Sequence, residues 1–454
     1  MWFALFFAIP IESTPMYRSW AGGVCVLSLC LVSATLGPAT SAQAQTTSKQ
    51  AKKKTGMAFS PLRREAENFA KEENWTGMYA RADQLLKANP NNAEARTMRA
   101  RAATALTPPR TEQAFADLAV SLRLRPDYSE TYRVRGNLYT DQEKYTEALA
   151  DYNKAIQLAP RDPAAYVNRG IVYTKQKKYP EALAEFSKAI QQDPEDTRAY
   201  VNRSSLYEDQ GRYAEAVPDL NQAIKLLPRA PDLYMLRGFL YLRLKRSADA
   251  FADLNKAIQF DSKNADIYMI RGRMLLDQQQ IAKARADFDT AIKLNPKQVM
   301  AYFSRGNIYY DRGQFAEALA EYSKVIELNP KMESAYRDRG DAYRRLNKDA
   351  EALADYNKAI ELKPDDPYVY GQRGMLYQKQ AKPSEALANY NKALELNPKD
   401  AGTYYNRGNL HKDQGQIAQA VESYAAYLRT VDHNDPNEQQ FIAAAEKYVR
   451  ENKP

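Results

Sequence analysis

Histidine and cysteine are almost absent from this chain. Only His411 and His433 occur in 454 residues, and the two cysteines, Cys25 and Cys30, both lie close to the N-terminus. A base–nucleophile set of the Ser-His-Asp kind is therefore not assembled from its usual residues. Thiolate metal sites and disulfides are excluded from the body of the chain. The two histidines stand 22 residues apart. A metal site needs several convergent donors, so both are expected in packing or surface roles, with no metal and no cofactor. The 18 glycines form no phosphate-cradling loop. Charge of one sign is not in large excess either: 65 basic against 56 acidic side chains leave +9, spread along the chain. That balance describes a solvated surface and gives no expectation of nucleic acid as a partner.

The N-terminus has the features of an export signal. From Met16 the chain reads MYRSWAGGVCVLSLCLVSATLGPATSAQAQ, with Arg18 as a positive start, an apolar stretch from Val24 to Ala34, and Ala42-Gln43-Ala44 as a cleavage site. The preceding MWFALFFAIPIESTP has no basic residue, which favours Met16 over Met1 as the start. The apolar stretch is short for a membrane span and ends in small residues, so no stable span is expected after cleavage. Residues 1–44 are thus expected to be a signal peptide, and the polar, basic 45–58 a flexible linker. Leu29 before Cys30 argues against a lipoprotein signal. The expected location is periplasmic or secreted.

What the chain has in abundance is repetition. DYNKAI occurs at 151–156 and again at 355–360, with EFSKAI, DLNQAI, DLNKAI and NYNKAL as near-copies, all on a 34-residue period. Residues 129–434 divide into nine units of 34 without insertion or deletion. In the unit 163–196, positions 4, 8, 11, 20, 24, 27 and 32 are Tyr166, Gly170, Tyr173, Ala182, Phe186, Ala189 and Pro194. Apolar residues at three- and four-residue spacing predict two amphipathic helices, roughly positions 2–14 and 17–30. Small residues at 8, 20 and 27 let helix backbones approach. Aromatic residues at 4, 11, 17 and 24 fill the space, which accounts for most of the 32 tyrosines. Proline at 32 stops the second helix.

This pattern resembles the tetratricopeptide repeat. The resemblance covers about two-thirds of the chain and implies an all-α superhelical solenoid, one cooperative array of stacked helix pairs. Local departures include Ser204 for the glycine, Ser262 for the proline, Leu275 for the second aromatic residue, and His411 and Tyr427 in the last unit. Residues 59–128 are expected to hold degenerate N-terminal repeats. Within them 95–128 is read as a tenth unit with Met98 and Ala102 at positions 4 and 8, and 60–90 as a further helix pair. Residues 435–454 are expected to form a capping helix with Phe441, Ala444, Tyr448 and Val449 on one apolar face. The total is ten or eleven pairs and a cap.

Position 7 is usually leucine in such repeats, yet all nine units carry arginine there, from Arg135 to Arg407. Position 23 is acidic in seven units, with Asn389 and Ser423 in the others. Two arrangements suit this pattern: a ladder of Arg–carboxylate pairs, within a unit or across to the next, or nine solvated arginines.

In tetratricopeptide arrays the first helices line a concave face, and positions 2, 5, 9 and 12 meet the ligand. Carried over, the middle units offer Met235, Phe239 and Leu242, then Met269 and Leu276, then Met300, Phe303 and Tyr310. The shoulders are polar and basic, with Arg133, Arg337 and Arg344. An apolar centre flanked by cations suits a peptide or an amphipathic helix. The resemblance also offers a partial imitation of the family's carboxylate-holding site in Arg133, Asn137, Asn168, Arg198 and Asn202. The chain is therefore read as a non-enzymatic interaction scaffold in the cell envelope, with a protein or peptide as partner. A glycan- or polyanion-binding envelope factor using the arginines is the alternative, and an enzyme with a site inside the groove a further one.

Overall fold

The computed structural model describes residues 60–452, so the expected signal peptide and linker lie outside the described residues. The described chain contains 23 helices, which we number in order, and among the described residues there is no strand. The described residues divide into two compact units, 60–263 and 264–452, each described by itself.

The first unit, 60–263, holds six helix pairs: α1 (Pro61–Lys71) with α2 (Trp75–Ala88), α3 (Ala93–Ala105) with α4 (Thr111–Leu124), and α5 (Ser129–Asp141) with α6 (Tyr145–Leu158). Then follow α7 (Pro163–Lys175) with α8 (Tyr179–Gln192), α9 (Thr197–Asp209) with α10 (Tyr213–Leu226), and α11 (Pro231–Arg243) with α12 (Ser247–Phe260). The second unit, 264–452, holds α13 (Ala265–Asp277) with α14 (Ile281–Leu294), α15 (Val299–Asp311) with α16 (Phe315–Leu328), and α17 (Glu333–Arg345) with α18 (Asp349–Leu362). It ends with α19 (Pro367–Lys379) and α20 (Pro383–Leu396), α21 (Ala401–Asp413) and α22 (Ile417–Thr430), and a last helix α23 (Gln439–Asn452). The nine regular repeats have helices at positions 1–13 and 17–30, and the fold class is the all-α solenoid that the period predicts.

The pairing of small and large residues sets how closely the two helices of a repeat approach. At Gly136 a Cβ would lie 2.6 Å from Cε1 of Tyr152, and at Gly340 one would lie 2.8 Å from Cε1 of Tyr356. Where position 24 is leucine the constraint loosens: a Cβ on Gly238 would be 3.3 Å from Cγ of Leu254. This explains Ser204, which faces Leu220 in its own repeat and bonds the Ala216 carbonyl at 3.1 Å. The position-4 tyrosines add polar fasteners. Tyr132, Tyr166, Tyr200, Tyr234 and Tyr370 donate to the carbonyls of Pro126, Pro160, Pro194, Pro228 and Pro364 at 2.9–3.2 Å, anchoring the turn before each first helix.

The arginine ladder exists, and it runs in both directions. Arg135, Arg203, Arg237, Arg271 and Arg339 each grip the aspartate 16 residues ahead through Nε and Nη2, at 2.6–2.8 Å. Several arginines also donate through Nη1 to the residue 16 positions back, on the second helix of the preceding repeat. Arg203 reaches Ser187, Arg237 Asn221, Arg305 Asp289 and Arg339 Ser323. In the last two repeats neutral acceptors serve, Asn389 for Arg373 and Ser423 for Arg407. Glutamate rungs differ in geometry. Its extra methylene moves the carboxylate so that both oxygens of Glu185 and of Glu321 meet only Nη2, and Nε of Arg169 and of Arg305 is buried without a partner.

The tenth repeat needs a correction. The connection between α3 and α4 spans 106–110, whereas 142–144 suffices between α5 and α6, so α3 is shifted by two residues against the 34-residue frame. Met98 and Ala102 therefore do not take positions 4 and 8. Ala100 occupies the glycine position opposite Leu118, and Arg99 takes the ladder position, bonding Asp117 at 2.7 and 2.8 Å and Asp83 at 2.8 Å. The first pair carries the rung with its charges exchanged: Arg81 on α2 bonds Glu65 on α1 at 2.8 Å.

The capping helix expected over 435–454 is α23, which begins at Gln439, after a turn in which Glu438 accepts from the Tyr427 hydroxyl at 2.7 Å. This start rotates the helix. Ile442 and Ala445 are buried, Tyr448 and Val449 pack beside them, and Ala444 faces outward. Phe441 is 38% exposed, its ring centroid 5.3 Å from that of Tyr405 in an edge-on arrangement.

Candidate functional site

The first helices carry the predicted ligand-facing residues, and the two units treat them differently. In the first unit, Met235, Phe239 and Leu242 are half-buried along α11. In the second, Met269 and Leu276 are half-buried on α13, as are Met300 and Tyr310 on α15. Phe303 is not a surface residue. It is 4% exposed and sits in the core with Ala318 and Val325, its ring 5.8 Å from Tyr322. Position 5 of α15 turns inward here, so Phe303 is removed from the candidate face.

The basic shoulders are also occupied from within. Arg133 is 5% exposed and bonds Glu130 on the same helix through two guanidinium nitrogens. Arg337 bonds Asp338 at 2.8 Å and approaches Asp366 at 3.5 Å. Arg344 is half-buried and lies beside Asp341 and the Tyr356 hydroxyl. The carboxylate-holding imitation is not an open site either. Asn168 donates to Asn137 at 2.7 Å, and Arg198 is paired with Asp196 at 2.7 Å.

Two polar clusters on these faces were not singled out from the sequence. In the first unit Glu130 is the hub. Arg63 Nη2 lies 3.3 Å away and also bonds Asp162 at 2.8 Å, while Arg101 lies at 3.8 Å and bonds Glu67 at 3.1 Å. Burial pushes the Glu130 carboxyl up, but the guanidiniums of Arg133, Arg63 and Arg101 outweigh it and hold it down at about 2. In the second unit the hub is Asp341, buried, accepting from Tyr356 at 2.6 Å and Tyr368 at 2.8 Å. Burial raises its carboxyl above the ordinary range despite those two donors. The Tyr356 bond repeats a pattern: Tyr152, Tyr322 and Tyr424 donate to Asn137, Asn307 and Asn409 fifteen residues back. A tyrosine hydroxyl passes beside the position-8 glycine and emerges at position 9 of the first helix. The legible sign was Tyr at 24 with Asn or Asp at 9. Where Leu254 replaces the tyrosine, position 9 is Phe239.

Two carboxyls are pushed up to about 7. Glu208 on α9 is raised by burial and then by Asp209, and Glu333 at the start of α17 by burial against the opposing pull of Arg337. Among the described residues no cluster of three or more His, Cys, Asp or Glu side chains is placed to hold a metal ion. His411 is buried with Nδ1 2.6 Å from Gln416, and His433 bonds the Leu428 carbonyl at 2.8 Å. No described helix is long and apolar enough to cross a membrane.

Models of the tetratricopeptide repeat match residues 136–177, 163–196, 201–265, 272–311, 306–346, 340–380 and 383–415. No curated protein sequence is a significant match. Similar solved structures include Pseudomonas aeruginosa pilF, 18% identical with a TM-score of 0.42, covering 47% of this chain and 96% of that one. Yeast Tom70 is 16% identical with a TM-score of 0.39, covering 86% of this chain and 95% of that one. YrrB, described as a tetratricopeptide repeat protein with an unusual peptide-binding site, is 26% identical with a TM-score of 0.34, covering 43% of this chain and 97% of its own.

Proposed function

Because the chain belongs to the tetratricopeptide repeat family, whose members generally mediate protein–protein interaction, we propose that it is a non-enzymatic scaffold binding a peptide or a partner helix along its first helices. The observation that carries this reading is the half-buried apolar side chains at ligand-facing positions within each unit, Met235, Phe239 and Leu242 on α11 in the first and Met269, Leu276 and Met300 on α13 and α15 in the second. Apolar groups left partly exposed at regular spacing on a rigid helix face suit side chains of an incoming segment, and methionine adapts to their shape. Tyr310 and the exposed ring of Tyr368, 38% accessible with its hydroxyl fixed on Asp341, add aromatic contact area in the second unit.

The N-terminal leader motif supports a reading of the scaffold as exported, to the periplasm or outside the cell. The polyanion alternative drew on groove arginines. Arg133 and Arg337 already face internal carboxylates, and this favours the peptide reading. Crosslinked recovery of partners from the envelope fraction tests it, comparing wild type with Phe239→Asp and Leu242→Asp. Loss of a defined partner from both variants, weakly affected by salt, is expected. Recovery unchanged in both, or binding abolished by moderate salt, overturns the proposal.

A further inference from the structure

We propose that α1 is a salt-latched strap that closes the ligand-facing surface of the first unit. The helix contributes little apolar burial: of its described side chains only Ala66 is buried, with Leu62, Phe69 and Ala70 partly packed around it. By contrast α3 buries Ala93, Ala95, Met98, Ala100, Ala102 and Ala103. What holds α1 is charge. Ser60 at its cap bonds Glu94, Arg63 bonds Asp162 and approaches Glu130, Glu67 bonds Arg101, and Glu65 bonds Arg81.

The geometry of these bonds is specific to a closing element. Arg63 and Asp162 are 99 residues apart in the chain, so one side chain of α1 meets both Glu130 of α5 and the cap of α7. Glu94, Arg101 and Glu130 stand at ligand-facing positions of α3 and α5, counting α3 with its two-residue shift. The strap thus neutralises the carboxylates and the guanidinium that an incoming segment would meet there. Two of these pairs, Arg81 with Glu65 and Arg101 with Glu67, have side chains 23–39% exposed and weaken as salt rises, whereas the nearly buried pairs of Arg63 and the apolar packing are screened little, so the latch has a different ionic sensitivity from the rest of the unit. Opening uncovers Met98, which shares a core cluster with Ala66, and releases Asp162 from Arg63 and Arg101 from Glu67 to engage a segment of complementary charge, while Glu130 keeps its bonds from Arg133.

The consequence for binding rests on the peptide-scaffold reading, but the latch itself is tested without a partner. Hydrogen exchange of residues 61–71 in the full chain is followed at low salt and in 0.5 M NaCl, together with Arg63→Ala and Arg63→Lys. The expected result is roughly tenfold faster exchange in α1 with salt or Arg63→Ala, partial protection with Arg63→Lys, and no change in α11. A second probe uses Met98→Cys in a chain with Cys25 and Cys30 replaced by serine. Its maleimide labelling is expected to accelerate by a similar factor under the same conditions. Exchange and labelling that ignore both salt and Arg63→Ala overturn the latch. A latch that opens while partner recovery stays unchanged leaves it standing and counts against the scaffold surface alone.

Discussion

Arg237 grips Asp253 with two hydrogen bonds of 2.7 Å, one from Nε and one from Nη2, across the two helices of a single repeat. Its remaining nitrogen donates to Asn221 on the preceding repeat at 2.7 Å. One side chain therefore fixes both the angle within a helix pair and the seam between pairs. A leucine, usual at this position in such repeats, could fill the space but could not satisfy Asp253, which is 6% exposed. Arg237→Leu is expected to lower stability by about 2–3 kcal/mol in denaturant unfolding, because it leaves a buried carboxylate unpaired. The double variant Arg237→Leu/Asp253→Asn should recover more than half of that loss. A loss of the same size in the double variant would show that the pair itself is unimportant.

The glutamate rungs predict a gain. Shortening Glu185 or Glu321 to aspartate lets the carboxylate meet Nε as well as Nη2, the geometry of the aspartate rungs. Glu321→Asp is expected to add about 1 kcal/mol through the buried Nε of Arg305, read as a higher unfolding midpoint. A lower midpoint would refute this account of the unpartnered nitrogen.

Close approach at position 8 gives a graded prediction. Gly340→Ala places a methyl within 2.8 Å of the Tyr356 ring and should cost about 1–3 kcal/mol. Gly238→Ala, with Leu254 3.3 Å away, should cost clearly less. Equal losses would remove the aromatic ring as the cause.

The inter-helix turns hold strain that glycine relieves. Glu143, Lys177, Lys245, Gln279, Asn347 and Ala381 adopt φ of 54–60°, where Gly211, Gly313 and Gly415 serve in other repeats. Replacing Lys177 (φ 60°) by glycine is expected to raise the thermal midpoint, with about 1 kcal/mol gained from the left-handed backbone before the entropy of glycine offsets part of it. An unchanged or lower midpoint would count against strain there.

Stability should fall on both sides of mid-acid pH, for opposite reasons. Glu130, held at about 2 in the fold against an ordinary value of 4.5, stabilises the protein above pH 4.5. That contribution, on the order of 3 kcal/mol, is lost as pH falls toward 2. Glu208 and Glu333, raised to about 7, act in the other direction. Their contribution is complete below 4.5 and disappears as pH rises through 7. Unfolding midpoints from pH 2 to 9 should therefore show an acid limb flattened in Glu130→Gln and an upper limb flattened in Glu208→Gln.

Much of this architecture was legible before any coordinates. The 34-residue recurrence, small residues at 8 and 20 in all nine units, and alanine at 27 and proline at 32 in seven of them were sufficient for the helix pairs, because each is a local rule. Arginine at 7 with an acid at 23 announced a ladder, since both types recur on facing helices. The offset of α3 was not legible, because the two extra residues fall in a connection whose length the repeat frame alone does not measure. The candidate face was legible in part. Met235, Phe239 and Leu242 are half-buried, whereas Phe303 at the same position 5 as Met235 turns into the core.

The sequence alone thus determined which residues pair along the chain, since helix periodicity, close approach and turn chemistry act over fewer than 34 residues. Only the tertiary structure decided which charges are spent internally. Glu130 draws Arg63, Arg101 and Arg133 from three helices, and Arg63 reaches on to Asp162. Such convergence depends on how successive first helices lean toward one another, a sum of small rotations that no single repeat encodes.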